Sequence, residues 1–506
     1  MSQPDMFPTA SSPSAPDHDA IIVGAGFGGM GAAIELDRLG LSDTVILERE
    51  DDLGGTWHVN RYPGLAVDIA SMTYSYSFEP NPYWSRLFAP GAELKQYAEH
   101  VADKYRLRER MRFSTVVDAA CWDEENSWWR VTTAAGEVYT GRYLVTATGF
   151  LSQPYTPPFA GIDDFTGRIV HTTDWPDDLD LTGRRVAIIG TGATSVQLVP
   201  EIAAVADELT VHQRTPIWVV PKPDFPIPRL MQRMFAAIPV TQRIGRAINT
   251  TILEALMVIG VLRFRQAKPL NRMAAVLGRV HLRLSVHDKQ TRRALTPHYD
   301  FGCKRPTFSN KYFTAFNQRN VHLETSPIDH ITSDAVVTVD GHARPIDTLV
   351  LATGFNIWDV NFPAFEVIGR EGKNLGKWWR DARFQAYEGI TMPMFPNMFS
   401  LNSPYSYSGL SYFTTIEAQM KHMARLLGEV RRRGARTFEV SEQANREFLD
   451  HVTDRLGDSV FYAGRCASAH SYYFNQHSEA ALLRPTSTIT THREASRFPL
   501  GDYLYS

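Results

Sequence analysis

Two glycine-rich turns decide most of what this chain can fold into. GAGFGG at 24–29 follows the apolar run 20–23 and precedes an alanine-rich stretch, 30–39, that stops at Gly40. That order reads as strand, tight turn, helix. Gly24 permits the turn, Gly26 lets the backbone approach a pyrophosphate, and Gly29 lets the helix lie on the strand, with Phe27 between them and the helix N-terminus offering N–H groups to an anion. GTGATS at 190–195 repeats the plan after a strand expected at 185–189 and before a helix expected over 194–205. Gly190 and Gly192 keep their roles, and Ser195 replaces the third glycine with a side chain still small enough for helix–strand contact. Thr194 and Gln197 open that helix as further candidate cofactor contacts. Two such units in one chain predict an α/β protein with two Rossmann-like dinucleotide-binding domains.

The residues after each second strand separate the two ligands. Glu48 closes the strand expected at 45–47 and stands nineteen residues after Gly29. A carboxylate there can bond both ribose hydroxyls and disfavours a 2′-phosphate, so this turn is expected to hold FAD. At the matching place after the strand 209–212 the second unit has Gln213-Arg214-Thr215-Pro216. A guanidinium pairs bidentately with phosphate and the threonine hydroxyl can donate beside it, which favours NADPH. Ala147-Thr148-Gly149 recurs as Ala352-Thr353-Gly354. These repeated strand ends resemble those that precede the chain crossovers of the two-dinucleotide flavoprotein fold, and the resemblance implies that the NADPH unit is an insertion in the FAD unit. The expected division is a disordered tail, 1–18; FAD domain, 19–150 and 352–506; NADPH domain, 151–223 and 297–351; and a basic helical insertion, 224–296.

Two longer patterns carry a family resemblance. One is Phe165-x-Gly167-x-x-x-His171-x-x-x-Trp175-Pro176, between the two turns; the other is Gly55-x-Trp57-x-x-x-x-Tyr62-Pro63-Gly64-x-x-x-Asp68. They resemble the fingerprints of the type I Baeyer–Villiger monooxygenases, class B flavin enzymes that use FAD, NADPH and dioxygen. The resemblance implies that Gly55, Thr56, Trp57 and Tyr62 wrap the flavin, and that Phe165, Gly167, His171 and Trp175 couple the domains without making bonds. Tyr74 is a further candidate flavin contact at the head of an aromatic run, 74–78, that otherwise reads as core. Gly302-Cys303-Lys304-Arg305-Pro306 is similar to the family's Lys-Arg-Pro segment. This implies that Arg305 is the active-site arginine, held by Asp68, and that Lys304 helps bind the NADPH phosphate. The implied reaction is hydride transfer from NADPH to FAD, capture of dioxygen as a C4a-peroxide kept anionic beside Arg305, and oxygen insertion next to a ketone carbonyl. The alternative is oxidation of a nitrogen or sulfur nucleophile, or hydroxylation of a lipophilic chain. His58 departs from the aromatic common at its position. From Cys466 onward the chain is more similar to an actinobacterial-type subgroup, and His470, Tyr472, Tyr473 and Asn475 either border the pocket or simply pack.

Composition narrows the partners. A chain of 506 residues exceeds one compact core, and a net charge of −3 with 43% hydrophobic residues argues against nucleic-acid binding and global disorder. Small molecules are therefore the expected partners: a carbonyl or otherwise lipophilic substrate, and O2. Cys121, Cys303 and Cys466 are odd in number and far apart, which argues against disulfides and metal clusters and for a reducing, cytoplasmic setting. The absence of Cys-x-x-Cys disfavours a disulfide reductase. The first nineteen residues lack Lys, Arg and an apolar core, so no secretory signal is expected there. One segment stands out in charge: 224–305 carries fifteen Lys and Arg against four acids, a net of +11. Within it ILEALMVIGVL, 252–262, is too short for the about 20 residues that span a bilayer. A peripheral anchor on anionic lipid and an ordinary solvated face are both open readings of this block.

Overall fold

Branched aliphatic residues at successive positions favour extended chain buried on both faces, as in parallel sheets covered by helices. The computed structural model describes residues 15–408 and 411–506. Residues 1–14 of the expected tail lie outside the described residues, and its last residue is already structured. His18 begins β1 (His18–Val23), and the Asp17 amide donates to Thr140 Oγ1 at 2.9 Å.

The first sheet joins β1 to β2 (Thr44–Leu47), β3 (Met111–Arg112), β4 (Val117–Asp123), β5 (Trp128–Thr133) and β6 (Val138–Thr146), in the spatial order 4-5-6-1-2-3. The second is wholly parallel and begins with β7 (Arg168–His171), β8 (Arg185–Ile189) and β9 (Glu208–His212). A short ribbon pairs β10 (Val219–Val220) with β11 (Thr307–Phe308). The chain completes the second sheet with β12 (Val321–Glu324), forms a small antiparallel sheet from β13 (Ile328–Ile331), β14 (Ala335–Thr338) and β15 (Ala343–Pro345), and returns through β16 (Thr348–Leu351). The second sheet then runs 12-9-8-16-7. β17 (Glu366–Ile368) and β18 (Met398–Ser400) rejoin the first sheet beside β4 and β6. The second dinucleotide unit is thus inserted in the first. Helix α1 (Phe27–Arg38) follows β1, and α2 (Ala193–Ala203) follows β8.

The stretch 138–146 is one continuous strand, β6. Its first part pairs antiparallel with β5, and its last residues pair with β18. Gly141 lets β1 approach β6: a Cβ there would lie 2.7 Å from Ile21 Cγ1. The repeated Ala-Thr-Gly triplets serve matching places. Ala147 N donates to Val23 O at 2.8 Å and Ala352 N to Ile189 O at 3.0 Å, each carbonyl then closing over Gly24 or Gly190. Both glycines have strongly positive φ, +109° and +118°. The crossovers run side by side, with Pro154 bridged to Phe355 and the Tyr155 amide donating to Gly354 O at 2.9 Å.

The basic block forms α3 (Arg229–Ala237), α4 (Pro239–Leu253) and α5 (Lys268–Ser285). A π-helical stretch, Glu254–Leu262, continues α4 without a break. The result is a 24-residue helix, Pro239–Leu262, long and apolar enough by length and composition to cross a membrane. The expectation of only eleven residues is corrected, because polar Thr and Asn in α4 mask its continuity. The cysteines bring a second correction: Cys303 and Cys466 form a disulfide across 163 residues, with Cα atoms 5.2 Å apart. So distant a pair leaves no spacing to read, and the cysteine argument for a reducing compartment falls with it. Cys121 is exposed and unpaired.

Candidate active site and cofactor clefts

The first turn is closed at its third glycine. A Cβ on Gly29 would sit 1.9 Å from the Gly24 carbonyl oxygen, and one on Gly55 would sit 3.3 Å from Gly26 Cα. Glu48 follows β2 and is buried, its Oε2 accepting from the Ala25 amide at 2.6 Å and its Oε1 from the Glu50 amide at 3.0 Å. Two backbone donors therefore aim the carboxylate, and the oxygens keep lone pairs for further donors. Thr56 opens the short helix Thr56–Val59, and Trp57 meets Tyr74 edge-on with ring centres 5.6 Å apart. Phe27, expected at the cofactor, instead turns into the core against Tyr76, Tyr97 and Phe413, so only its backbone belongs to the turn. A dinucleotide fits this cradle, whose close backbone approaches a Cβ would fill.

The second turn is more open. Around Gly192 nothing lies within 4 Å of an added Cβ, and Ala193 at the start of α2 is exposed. Ser195 is fully buried, and its Oγ has no hydrogen-bond partner among the described residues. Thr191 Oγ1 donates to the Thr215 carbonyl at 2.8 Å, tying the turn to the strand end that carries exposed Arg214. Burial, followed by the charge of Arg214, lowers the Lys304 ammonium to about 8. His470 is also shifted down, by burial and then by Arg214 and Lys304. Three basic groups thus share one place, and no carboxylate figures among the charges that shift Lys304 or His470. Such a cluster suits a phosphate dianion.

Tyr62 and Gln197, both expected at a cofactor, meet each other. Tyr62 OH donates to Gln197 Oε1 at 3.1 Å, while Gln197 Nε2 donates to Ala66 O at 2.8 Å. A Cβ on Gly64 would lie 2.8 Å from the Gln197 carbonyl, so the Tyr-Pro-Gly step seats the first domain on α2. Phe165 is buried beside Ala187 and Ile189, and Gly167 touches the Phe165 ring and the Asp347 carbonyl. Trp175 joins the core around α2. His171 ends edge strand β7 in register with Leu351, just ahead of the return crossover. Its Nδ1 bonds Thr173 Oγ1 at 2.7 Å, its buried Nε2 has no partner among the described residues, and burial lowers its pKa.

Asp68 and Arg305 come together from 237 residues apart. Arg305 Nε donates to Asp68 Oδ2 at 2.8 Å, Nη2 to Oδ1 at 3.0 Å, and Nη1 to Tyr407 OH at 2.8 Å. A guanidinium carries five N–H groups. The other two have no acceptor among the described residues. Burial alone would raise the Asp68 carboxyl, but the charge and hydrogen bonds of Arg305 pull it below the usual range. Burial likewise opposes the Arg305 charge, and Asp68 more than offsets it. Tyr472 and Tyr473 lie with ring centres 4.6 Å apart at a tilt of 36°, and Tyr473 lies near Arg305. The C-terminal segment therefore borders the site, and the disulfide pins it to the residue two before Arg305. Asn475 instead folds its own turn, its amide donating to Glu479 O at 3.0 Å. Tyr407 gives no sequence signal: it sits in a Ser- and Pro-rich loop with no spacing relation to Arg305. No group of three or more His, Cys, Asp and Glu able to hold a metal occurs among the described residues.

Residues 21–252 match the family described as pyridine nucleotide-disulphide oxidoreductase, which shares the dinucleotide-binding architecture. A Baeyer-Villiger monooxygenase of Pseudomonas aeruginosa is 36% identical over 91% of this chain and 86% of its own length. One from Streptomyces coelicolor is 35% identical over 95% and 91%. Among solved structures, an oxidized steroid monooxygenase bound to NADP aligns with a TM-score of 0.85 at 29% identity, covering 97% of this chain and 99% of that one. OTEMO in complex with FAD and NADP aligns with a TM-score of 0.85 at 26% identity, over 97% and 100%. With its two nucleotide clefts, one for FAD and one for NADPH, the chain belongs to the Baeyer–Villiger monooxygenases and is a flavin-dependent NADPH monooxygenase.

Proposed function

We propose that the protein inserts one oxygen atom of O2 next to the carbonyl of a lipophilic ketone, giving an ester or lactone, at a centre formed by Arg305, Asp68 and Tyr407. The observation that supports this reading is the bidentate Asp68–Arg305 pair, with two guanidinium N–H groups that have no acceptor among the described residues. Bound FAD, reduced by NADPH, supplies the oxygen-activating chemistry. The chain's own part is electrostatic: Arg305 stays protonated at every working pH and offers N–H groups to negative charge developing on oxygen. Asp68 fixes the plane of the guanidinium, and Tyr407 accepts from its third corner. Buried rings at Tyr407 and Tyr473, backed by Phe150 and Phe461, exclude water and suit an apolar substrate body. The NADPH phosphate would rest on Arg214 and Lys304.

The test is turnover of a panel of ketones and sulfides under NADPH and oxygen. Wild type is expected to form ester or lactone in step with NADPH consumption. Arg305→Ala is expected to keep its flavin and still oxidise NADPH, releasing hydrogen peroxide with ester formation down by at least about a hundredfold. Sulfoxide as the sole product, undiminished in Arg305→Ala, would sink the reading and favour heteroatom oxygenation.

A further inference from the structure

We propose that the helical block seats this enzyme on the surface of an anionic lipid bilayer, with α4 lying flat as the contact. Along α4 the aliphatic residues Val240, Ile244, Ile248 and Ile252 recur every fourth position and are 54%, 55%, 56% and 53% exposed. At 1.5 Å per residue this is a ladder roughly 18 Å long on one face of the helix. The neighbouring helices add Leu230 on α3 and Met273, Val280 and Leu284 on α5, each between 45% and 80% exposed. Isolated exposed aliphatics are ordinary, but a continuous helical ladder with flanking apolar residues is a contact surface.

The charges around it select the partner. Exposed arginines stand directly beside these residues in the chain: Arg229 beside Leu230, Arg243 beside Ile244, Arg272 beside Met273 and Arg283 beside Leu284. The four acids of the segment are all engaged. Asp224 pairs with Arg86, Asp300 pairs with Arg465, Glu254 accepts from the Thr488 amide, and Asp288 caps the helix Lys289–Ala294 through the Thr291 amide. Aliphatic residues bordered by cations that can reach toward headgroups are what an in-plane membrane helix presents. The same surface disfavours a second copy as partner, because the exposed arginines of one face would oppose those of the other.

The inner face of α4 sets the geometry. Gln242 Nε2 donates to Asn81 O at 2.7 Å, and Arg246 Nη1 donates to Ser75 O at 2.8 Å and Met72 O at 3.2 Å. These bonds hold the helix along the FAD domain. It therefore lies on a membrane and does not cross one, despite its length. Asn271 on α5 bonds both the Gly260 and Phe301 carbonyls, so the block is tied directly to the segment leading into Arg305.

The experiment is flotation of the FAD-loaded, full-length enzyme with vesicles of phosphatidylcholine alone or mixed with phosphatidylglycerol, at low and high salt. The expected result is flotation only with phosphatidylglycerol, weakened by salt. Ile244→Glu with Ile248→Glu should lower vesicle affinity by at least about tenfold while flavin content and NADPH oxidation stay at wild-type levels. Leu284→Glu provides an independent variant on a second helix. Absence of wild-type flotation at low salt, equal flotation on phosphatidylcholine alone, or wild-type flotation by both sets of variants would overturn the proposal. So would light scattering showing a dimer in solution that the same substitutions dissociate.

Discussion

The two glycine turns follow one plan and differ in how tightly they are closed. At the first, a third glycine brings α1 against the Gly24 carbonyl, a second segment approaches at Gly55, and Glu48 is locked by two amides. At the second, the third position tolerates Ser195, Gly192 faces open space, and the charged residues stand at the rim. A closed cradle suits a cofactor that stays through many turnovers, and an open rim suits one that arrives and leaves with each. The duplication preserved the turn and let its surroundings diverge.

The largest effect should come from adding one methyl to each turn. Gly29→Ala forces α1 off β1 and is expected to yield protein without bound flavin, read from its visible absorbance, whereas Gly192→Ala should fold and keep a full complement. Flavin retained by Gly29→Ala would mean that the two turns are equally tolerant. Next in size is the phosphate cluster. Arg214→Ala should weaken NADPH binding by about 2 kcal/mol, on the order of thirtyfold, with little change for NADH. Lys304 sharpens the same contrast through pH. In the free enzyme its ammonium titrates near 8, and a bound phosphate would raise that value. The binding advantage is therefore complete below about 8 and lost as pH climbs from there toward the higher value of the complex. The KM for NADPH should rise across this window and the KM for NADH should not; equal rises would remove Lys304 from the phosphate site. The smallest effect is expected for Ser195→Ala, which deletes a buried hydroxyl without a partner among the described residues and should stabilise the fold by up to about 1 kcal/mol in denaturant unfolding.

Local patterns were legible and distant pairings were not. The strand read at 185–189 is β8 to the residue, because five apolar or β-compatible positions before a glycine turn have few other folds available. Gly141, inside β6, has no counterpart in the sequence pattern, because a glycine that admits a neighbouring strand shows its reason only when Ile21 is seen beside it. Asp68 and Arg305 could be named from a family likeness, but nothing local points to Tyr407 as the third partner of that guanidinium. Tyr62 and Gln197 were legible as special: each borders a nucleotide turn, and only the fold shows them bonded to each other across the two domains. The disulfide belongs with these, since a link across 163 residues has no periodicity.

The side-by-side crossovers carry one more consequence. The chain leaves the first sheet near Pro154 and returns near Phe355, and the two strands of passage are bridged to each other. A unit whose ends meet behaves as a cassette: it can be exchanged for another of similar footing without redirecting the host chain. His171 stands at the threshold of that doorway.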